Sequence, residues 1–219
     1  KLPEDREVLV IPPFTALRAV SKKFPCINFA VGAQNFYPET AGAFTGEVSP
    51  GQIIDLGATW ALTGHSERRH VLGESDAFVG AKTVYGLKAG LSIILCVGEK
   101  IEERKAGQVR EVIERQMDAG LAEVPDDVEP ERLCVAYEPV WAIGTGEVAG
   151  NAEIEEAHGM VREILGKKFG DSGASMRILY GGSVKPSNCA TIIGLDNVDG
   201  VLVGGASLQA ESFSQIVLA

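Results

Sequence analysis

The chain has 219 residues, 45% of them apolar and 23% charged, with a formal net charge of −10. That length supports one large domain whose core needs no disulfide or metal staple, and the composition excludes a disordered, collagen-like or coiled-coil protein. A chain this acidic does not bind nucleic acid or anionic lipid through its general surface, so an anionic ligand must be caught locally, by backbone N–H groups, helix N-termini or a few placed cations.

The opening segment Lys1 to Glu7 is polar and carries no apolar signal core. The first apolar run, Glu7–Ile11, reads as a strand, and Thr15–Lys23 as the helix after it. Asn28–Gly32 is the second strand. A long mixed loop follows, then a short helix over Gly51–Leu56 and a third strand over Thr59–Thr63. Ser75 and Asp76 open a helix that Gly90 closes, so Ser75–Ala89 is helical. Ser92–Val97 is the fourth strand. In the helix expected over Lys105–Leu121, Val109, Val112, Ile113 and Met117 share one face. Leu133–Tyr137 is the fifth strand, Ala152–Phe169 a long helix and Met176–Tyr180 the sixth strand. Ser187–Gly194 is helical, Gly200–Val203 is the seventh strand, and a last helix begins near Ala210. No apolar run reaches the length of a membrane-spanning helix. Cys26, Cys96, Cys134 and Cys189 are scattered, without metal-ligand spacing, and are expected to be free thiols in a reducing cytoplasm.

Continuous apolar strands are strands covered on both faces, as in parallel sheets. They recur about every 32 residues, the length of a βαβ unit, with no linker or composition break. Such a chain is either an open doubly wound sheet or a (β/α)8 barrel. Polar or Gly-rich clusters follow nearly every strand: Gln34-Asn35, Gly64-His65-Ser66-Glu67, Gly98-Glu99, Glu138, Gly181-Gly182-Ser183 and Gly204-Gly205. Chemistry around a full ring of strand ends is the barrel arrangement; an open sheet concentrates it at one switch point. A barrel needs eight strands and seven are visible. Residues 1–219 are therefore expected to be a single α/β barrel domain with seven of eight βα units, its first β-strand and helix absent from this chain.

Glu138 ends the fifth strand and precedes an apolar segment with a Gly-Thr-Gly hinge. It is placed as a base beside a loop that can close and exclude water, with desolvation raising its basicity. His65 stands at a strand end as the chain enters a helix. A backbone N–H there can donate to one imidazole nitrogen, which disfavours the charged ring and leaves the other nitrogen as a donor able to polarise a carbonyl. Arg68 and Arg69 are more simply read as salt-bridge residues than as phosphate ligands. Tyr180-Gly181-Gly182-Ser183 and Val203-Gly204-Gly205-Ala206-Ser207 expose bare backbone N–H groups at consecutive strand ends, where a barrel places its phosphate site. The loop from Gln34 to Glu47, with Phe36, Tyr37 and Phe44, is long enough to be an interface, its aromatics exposed.

Taken together, Gly64 through Arg69, Leu95-Cys96-Val97-Gly98-Glu99, Tyr137 through Gly146, Tyr180 through Val184 and Val203 through Ser207 resemble the triosephosphate isomerase family in order and spacing over the whole chain. The resemblance implies a TIM barrel that interconverts dihydroxyacetone phosphate and glyceraldehyde 3-phosphate, in glycolysis and gluconeogenesis, without metal or organic cofactor. Glu138 is then the base and His65 the neutral electrophile, following the family's established template. Glu67 and Cys96 match further site positions, and Gly144, Ser183, Gly204 and Gly205 the phosphate contacts. Pro139-Val140-Trp141-Ala142-Ile143-Gly144-Thr145-Gly146-Glu147-Val148-Ala149 matches the closing lid. Phe36, Tyr37, Phe44, Thr45, Gly46 and Glu47 belong to the loop that docks into the neighbouring subunit of a homodimer, with Thr45 near that partner's site.

Two departures accompany the resemblance. The family's Asn-x-Lys segment at the end of its first strand is not visible here, and a chain without that Lys is expected to be nearly inactive, since one preorganised donor is worth about 2.7–4 kcal/mol at the transition state. Glu147 also stands where the family often has a basic residue. The alternatives are a catalytically impaired truncated barrel that only binds phosphate or assembles, and another phosphate-binding barrel enzyme. The pairing of His65 with Glu138 speaks against the latter.

Overall fold

The computed structural model describes residues 3–23, 28–144 and 147–219. Its strands are β1 (Val8–Val10), β2 (Phe29–Ala33), β3 (Trp60–Thr63), β4 (Ser92–Val97), β5 (Leu133–Tyr137), β6 (Ile178–Tyr180) and β7 (Gly200–Val201). Among the described residues they form one seven-stranded sheet in sequence order, every neighbouring pair parallel. The helices are α1 (Phe14–Ser21), α2 (Pro50–Asp55), α3 (Ser66–His70), α4 (Asp76–Lys88), α5 (Ile101–Lys105), α6 (Val109–Leu121), α7 (Asn151–Phe169), α8 (Asp171–Ser175), α9 (Cys189–Ile193) and α10 (Ala210–Val217). The sheet curls until its ends approach each other. Arg177, just before β6, pairs with Glu7 just before β1 at 2.5 Å, and Arg6 donates to the Val217 carbonyl in α10 at 2.7 Å. This is the α/β barrel architecture expected from the strand repeat.

Two cores follow from the two faces of the strands. Trp60, Leu62, Ile94, Cys96, Cys134 and Ala136 point into the barrel and pack together. The alternate residues, among them Ala61, Ile93, Leu95, Leu133, Val135 and Tyr137, point outward and join the apolar faces of the helices. Val109, Val112, Ile113 and Met117 of α6 are all buried there, on the face their spacing marks out. Burying continuous apolar strands on both sides is what stabilises an all-parallel sheet.

Several boundaries differ from expectation. The helix expected over Lys105–Leu121 starts four residues later, at Val109, and a short helix not expected, α5, precedes it; Gly107, with a positive φ of +72°, separates the two. Met176 is not in β6; its N–H closes the unforeseen α8 on the Ser172 carbonyl at 3.2 Å. β7 stops at Val201, so the Gly204-Gly205 turn sits three residues beyond the ladder.

Candidate active site

Strand alternation places Glu138 in register with Cys134 and Ala136, on the inner face. Its own N–H extends the ladder to the Val97 carbonyl at 2.7 Å. The residue is only 2% exposed. Ser66 N–H donates to Oε2 at 3.0 Å, and His65 Nε2 lies 3.2 Å from Oε1. Burial raises the Glu138 pKa above its ordinary 4.5, against the opposing pull of His65, the Ser66 N–H and Arg69. A carboxylate that holds a proton more tightly than usual is the better base.

His65 is held by its turn. Gly64 has φ +70°, and a side chain there would meet Arg69 and the Cys96 carbonyl within 3 Å, so the position requires glycine. Arg69 is buried and clamps the turn to β4, donating to the Gly64 carbonyl at 2.7 Å and the Cys96 carbonyl at 3.1 Å while pairing with Asp76. Burial lowers its pKa, with Asp76 offsetting part of the effect. His65 is the N-cap of α3: the Glu67 N–H points at Nδ1 at 3.4 Å. With Nδ1 accepting, the proton-bearing nitrogen is Nε2, the one that faces Glu138.

On the far side of the strand ends, the chain comes bare to an open space. A Cβ at Gly204 or Gly205 would find no protein atom within 4 Å, and a short 3₁₀ turn starts at Gly205. Gly181 and Gly182 are different. A Cβ at Gly181 would strike the Glu138 side chain and one at Gly182 the Tyr180 phenol, so Gly181 lets the chain leaving β6 pass close to Glu138. The Ser183 hydroxyl donates to the Ala142 carbonyl at 2.7 Å, joining this end to the segment expected as a lid. Gly144, in that same segment, has φ +68°. Thr145 and Gly146 lie outside the described residues.

The remaining expected site residues fall at varied distances from this centre. The Cys96 thiol is buried in hydrogen-bonding contact with the Glu138 carboxylate, and burial, then that carboxylate, push its pKa well up. Glu67 supplies its N–H to His65, while its side chain is 75% exposed and reaches only 3.9 Å from Nδ1. Arg68 pairs with Glu74 at 2.6 Å, as a salt-bridge residue. In the long loop, Phe36 corrects the expectation of exposed aromatics: its ring is 1% exposed, because it turns inward under α4. Tyr37 and Phe44 stack at 4.6 Å, and Phe44 through Glu47 face solvent. Cys26 lies outside the described residues; Cys96, Cys134 and Cys189 are free.

Two clusters escaped the sequence. Lys82 of α4 is fully buried, its ammonium held by Glu74 at 2.9 Å and Asn35 at 2.5 Å. Glu99, after β4, is also fully buried and accepts from Trp141 Nε1 at 2.9 Å, the Tyr137 hydroxyl at 3.1 Å and Arg104 at 3.1 Å. Glu99 stood in one of the motifs that carry the resemblance, but its partners come from three different segments, and no local pattern joins them. Among the described residues there is no His, Cys, Asp or Glu cluster suited to a metal ion and no helix long and apolar enough to cross a membrane.

Comparison with known proteins agrees with this geometry. A family model described as "Triosephosphate isomerase" matches residues 1–219. The chain is 60% identical over its full length to a protein named "Triosephosphate isomerase" from Nitratidesulfovibrio vulgaris strain Miyazaki F, covering 87% of that protein. It is 61% identical to the protein of the same name from Oleidesulfovibrio alaskensis, covering 88% of it. It is 48% identical over 216 residues to that of Lawsonia intracellularis, covering 85%.

Proposed function

The chain belongs to the triosephosphate isomerase family, and from its site we infer that it interconverts dihydroxyacetone phosphate and D-glyceraldehyde 3-phosphate, an intramolecular aldose–ketose isomerisation of glycolysis and gluconeogenesis. The observation that carries this reading is a buried carboxylate, Glu138, facing the Nε2 of a capped histidine, His65, at 3.2 Å. In this mechanism Glu138 removes a proton from the carbon beside the carbonyl and returns it to the neighbouring carbon. His65 donates from Nε2 to the carbonyl oxygen as charge develops there, stabilising the enediolate and passing the hydroxyl proton between the two oxygens. Cys96 packs against the base and fixes its approach, and Glu67 contributes its backbone N–H to the orientation of His65.

The phosphate is held by backbone N–H groups at Gly204 and Gly205, with Ser183 and, from the lid, Gly144. The open space over the two glycines supports this, as does the acidic net charge, which leaves no general attraction for an anion. Residues Pro139 to Ala149 then close over the phosphate, exclude water and prevent its elimination from the enediolate. Residues 1–219 act as one domain in this reading, and the edges of β1 and β7 are where a closed (β/α)8 barrel carries one further strand.

The same reading makes the protein a cytoplasmic homodimer. Free thiols at Cys96, Cys134 and Cys189 support a reducing compartment. Phe44, Val71 and Leu72 are exposed beside a groove of about 320 Å³ bordered by Tyr37, Glu47, Arg68, Leu72 and Phe78, which supports a docking role for the loop over residues 34–47. Thr45 at the loop tip would then approach the partner's site.

The direct test is turnover by the Glu138→Asp variant. Retracting the carboxylate by one methylene moves it more than 1 Å, so kcat should fall by about 10²–10³ with KM within a few-fold. Unchanged turnover would remove Glu138 from the role of base.

A further inference from the structure

Past Leu95, β4 loses the strand on one of its sides. The last residue of β3 in the ladder is Thr63, opposite Leu95, and the chain then turns away at Gly64 with φ +70°. In a parallel sheet, alternate residues turn their N–H and C=O groups to opposite neighbours. Val97 and Glu99 face β5, where their carbonyls accept from the N–H groups of Glu138 at 2.7 Å and Val140 at 3.0 Å. Cys96 and Gly98 face the side that β3 has left, and side chains meet them there. Arg69 donates to the Cys96 carbonyl at 3.1 Å. Gln116 of α6 takes both polar groups of Gly98: its Oε1 accepts from the N–H at 2.8 Å and its Nε2 donates to the carbonyl at 3.2 Å. Gln116 is 2% exposed, so these two bonds satisfy a buried peptide as a neighbouring strand would.

The support behind this amide is tightly packed. Four residues on from Gln116, a Cβ at Gly120 would lie 2.7 Å from Leu95 Cδ2, and α4 sits so close that a Cβ at Gly80 would overlap the Ala119 carbonyl of α6. On its other side, Gly98 lies bare against Glu138, where a Cβ would come within 2.6 Å of the Glu138 carbonyl carbon. We propose that Gln116 is a positioning residue for the base, its amide seating Gly98 in place of the departed strand and Gly98 seating the backbone of Glu138. Gln116 touches no reacting atom in this role. It sets where the carboxylate stands relative to the substrate carbon, and a misplacement of about 1 Å there costs about 10²-fold in rate. The phosphate glycines, Gly204 and Gly205, lie across the strand ends and owe nothing to this contact. The proposal rests on the reading of Glu138 as the base of the isomerisation.

The test separates kcat from KM. Gln116→Met keeps an unbranched side chain of similar size and removes both bonds to Gly98. In protein shown to be folded by its circular dichroism, kcat for glyceraldehyde 3-phosphate is expected to fall about 10- to 100-fold, with KM and the inhibition constant of inorganic phosphate within twofold of the parent's. Gln116→Glu is the conservative variant. At pH 6 a carboxyl buried here is neutral and offers a carbonyl and an O–H in place of the carbonyl and N–H, so kcat should return to within threefold of the parent's. Folded Gln116→Met protein with kcat within twofold of the parent's overturns the proposal. So does a loss that falls equally on kcat and on phosphate affinity, or a Gln116→Glu protein as impaired at pH 6 as Gln116→Met. Should Gln116→Met not fold, Gln116→Glu at pH 6 and pH 9 takes its place. Ionisation removes the donor to the Gly98 carbonyl, so the ratio of its kcat to the parent's is expected to fall at least fivefold between the two, and a constant ratio overturns the proposal. Turnover by the parent protein and by its Glu138→Asp variant tests the isomerase reading separately, since every readout above is a comparison with an active parent.

Discussion

Alanine at Gly98 places one methyl group against the backbone of Glu138, the proposed base. An ideal Cβ at this position would sit 2.6 Å from the Glu138 carbonyl carbon and 3.3 Å from its Cα. Non-bonded carbons pack at about 3.5–4.0 Å, so the two segments must part by about 1 Å. Gly98 has little freedom to yield. Its N–H donates to Gln116 Oε1 at 2.8 Å and its carbonyl accepts from Gln116 Nε2 at 3.2 Å, both in the buried interior. The displacement therefore falls on Glu138, whose carboxylate must meet the substrate carbon within a fraction of that distance. A shift of about 1 Å at a reacting group costs about 10²-fold in rate, or about 2.7 kcal/mol of barrier. The overpacking itself should cost about 1–3 kcal/mol of stability. The assay is kcat for either triose phosphate at 25 °C on Gly98→Ala protein shown to be folded by its circular dichroism. Folded protein with kcat within twofold of the parent would refute the reasoning, since either the strand ends absorb the methyl or the position of Glu138 does not limit the reaction.

Three further outcomes follow from the same geometry. Burial raises the Glu138 pKa, so the folded state holds this proton more tightly than the unfolded chain; the associated stability is full below about pH 4.5 and is lost as pH rises through the folded value. Glu138→Gln should accordingly raise the thermal midpoint at pH 8, show no gain near pH 4, and lower kcat by about 10²–10⁴; an equal gain at both pH values would contradict the assignment. A Cβ at Gly205 meets no protein atom within 4 Å, so Gly205→Val should fold with an unchanged thermal midpoint while KM and the inhibition constant of inorganic phosphate rise about tenfold or more; unaltered phosphate affinity would move the anion site elsewhere. Leu72→Asp changes a side chain exposed on the single chain, so by sedimentation the dissociation constant of the dimer should rise about 10²-fold with the folded monomer intact; unchanged self-association would put the interface on another face.

The strands and most helices were legible because the information that sets them is local. Continuous apolar runs at a 32-residue spacing fix buried parallel strands, as observed from β1 to β7. His65 was legible for the same reason: a histidine between a strand end and Ser66-Glu67 meets the N–H groups of its own helix two residues on. Glu138 could be read as strand-terminal, and strand alternation then put it inside the barrel.

Other features depend on groups that meet only after the chain has folded. Whether Phe36 faces a partner or the core was decided by α4, which covers it with Lys82 and Gly86, more than 40 residues away in sequence. The break between α5 and α6 turned on one positive φ at Gly107 inside an otherwise helical pattern. The ties of Trp141 to Glu99 and of Arg104 to Glu153 likewise span 42 and 49 positions, and in the linear chain the three charged residues look like ordinary surface charges. The sequence alone determined the repeating unit, its apolar faces and the residue types at each strand end. The tertiary structure decided which of those charges are buried against one another, because desolvation and pairing depend on distance in space rather than along the chain.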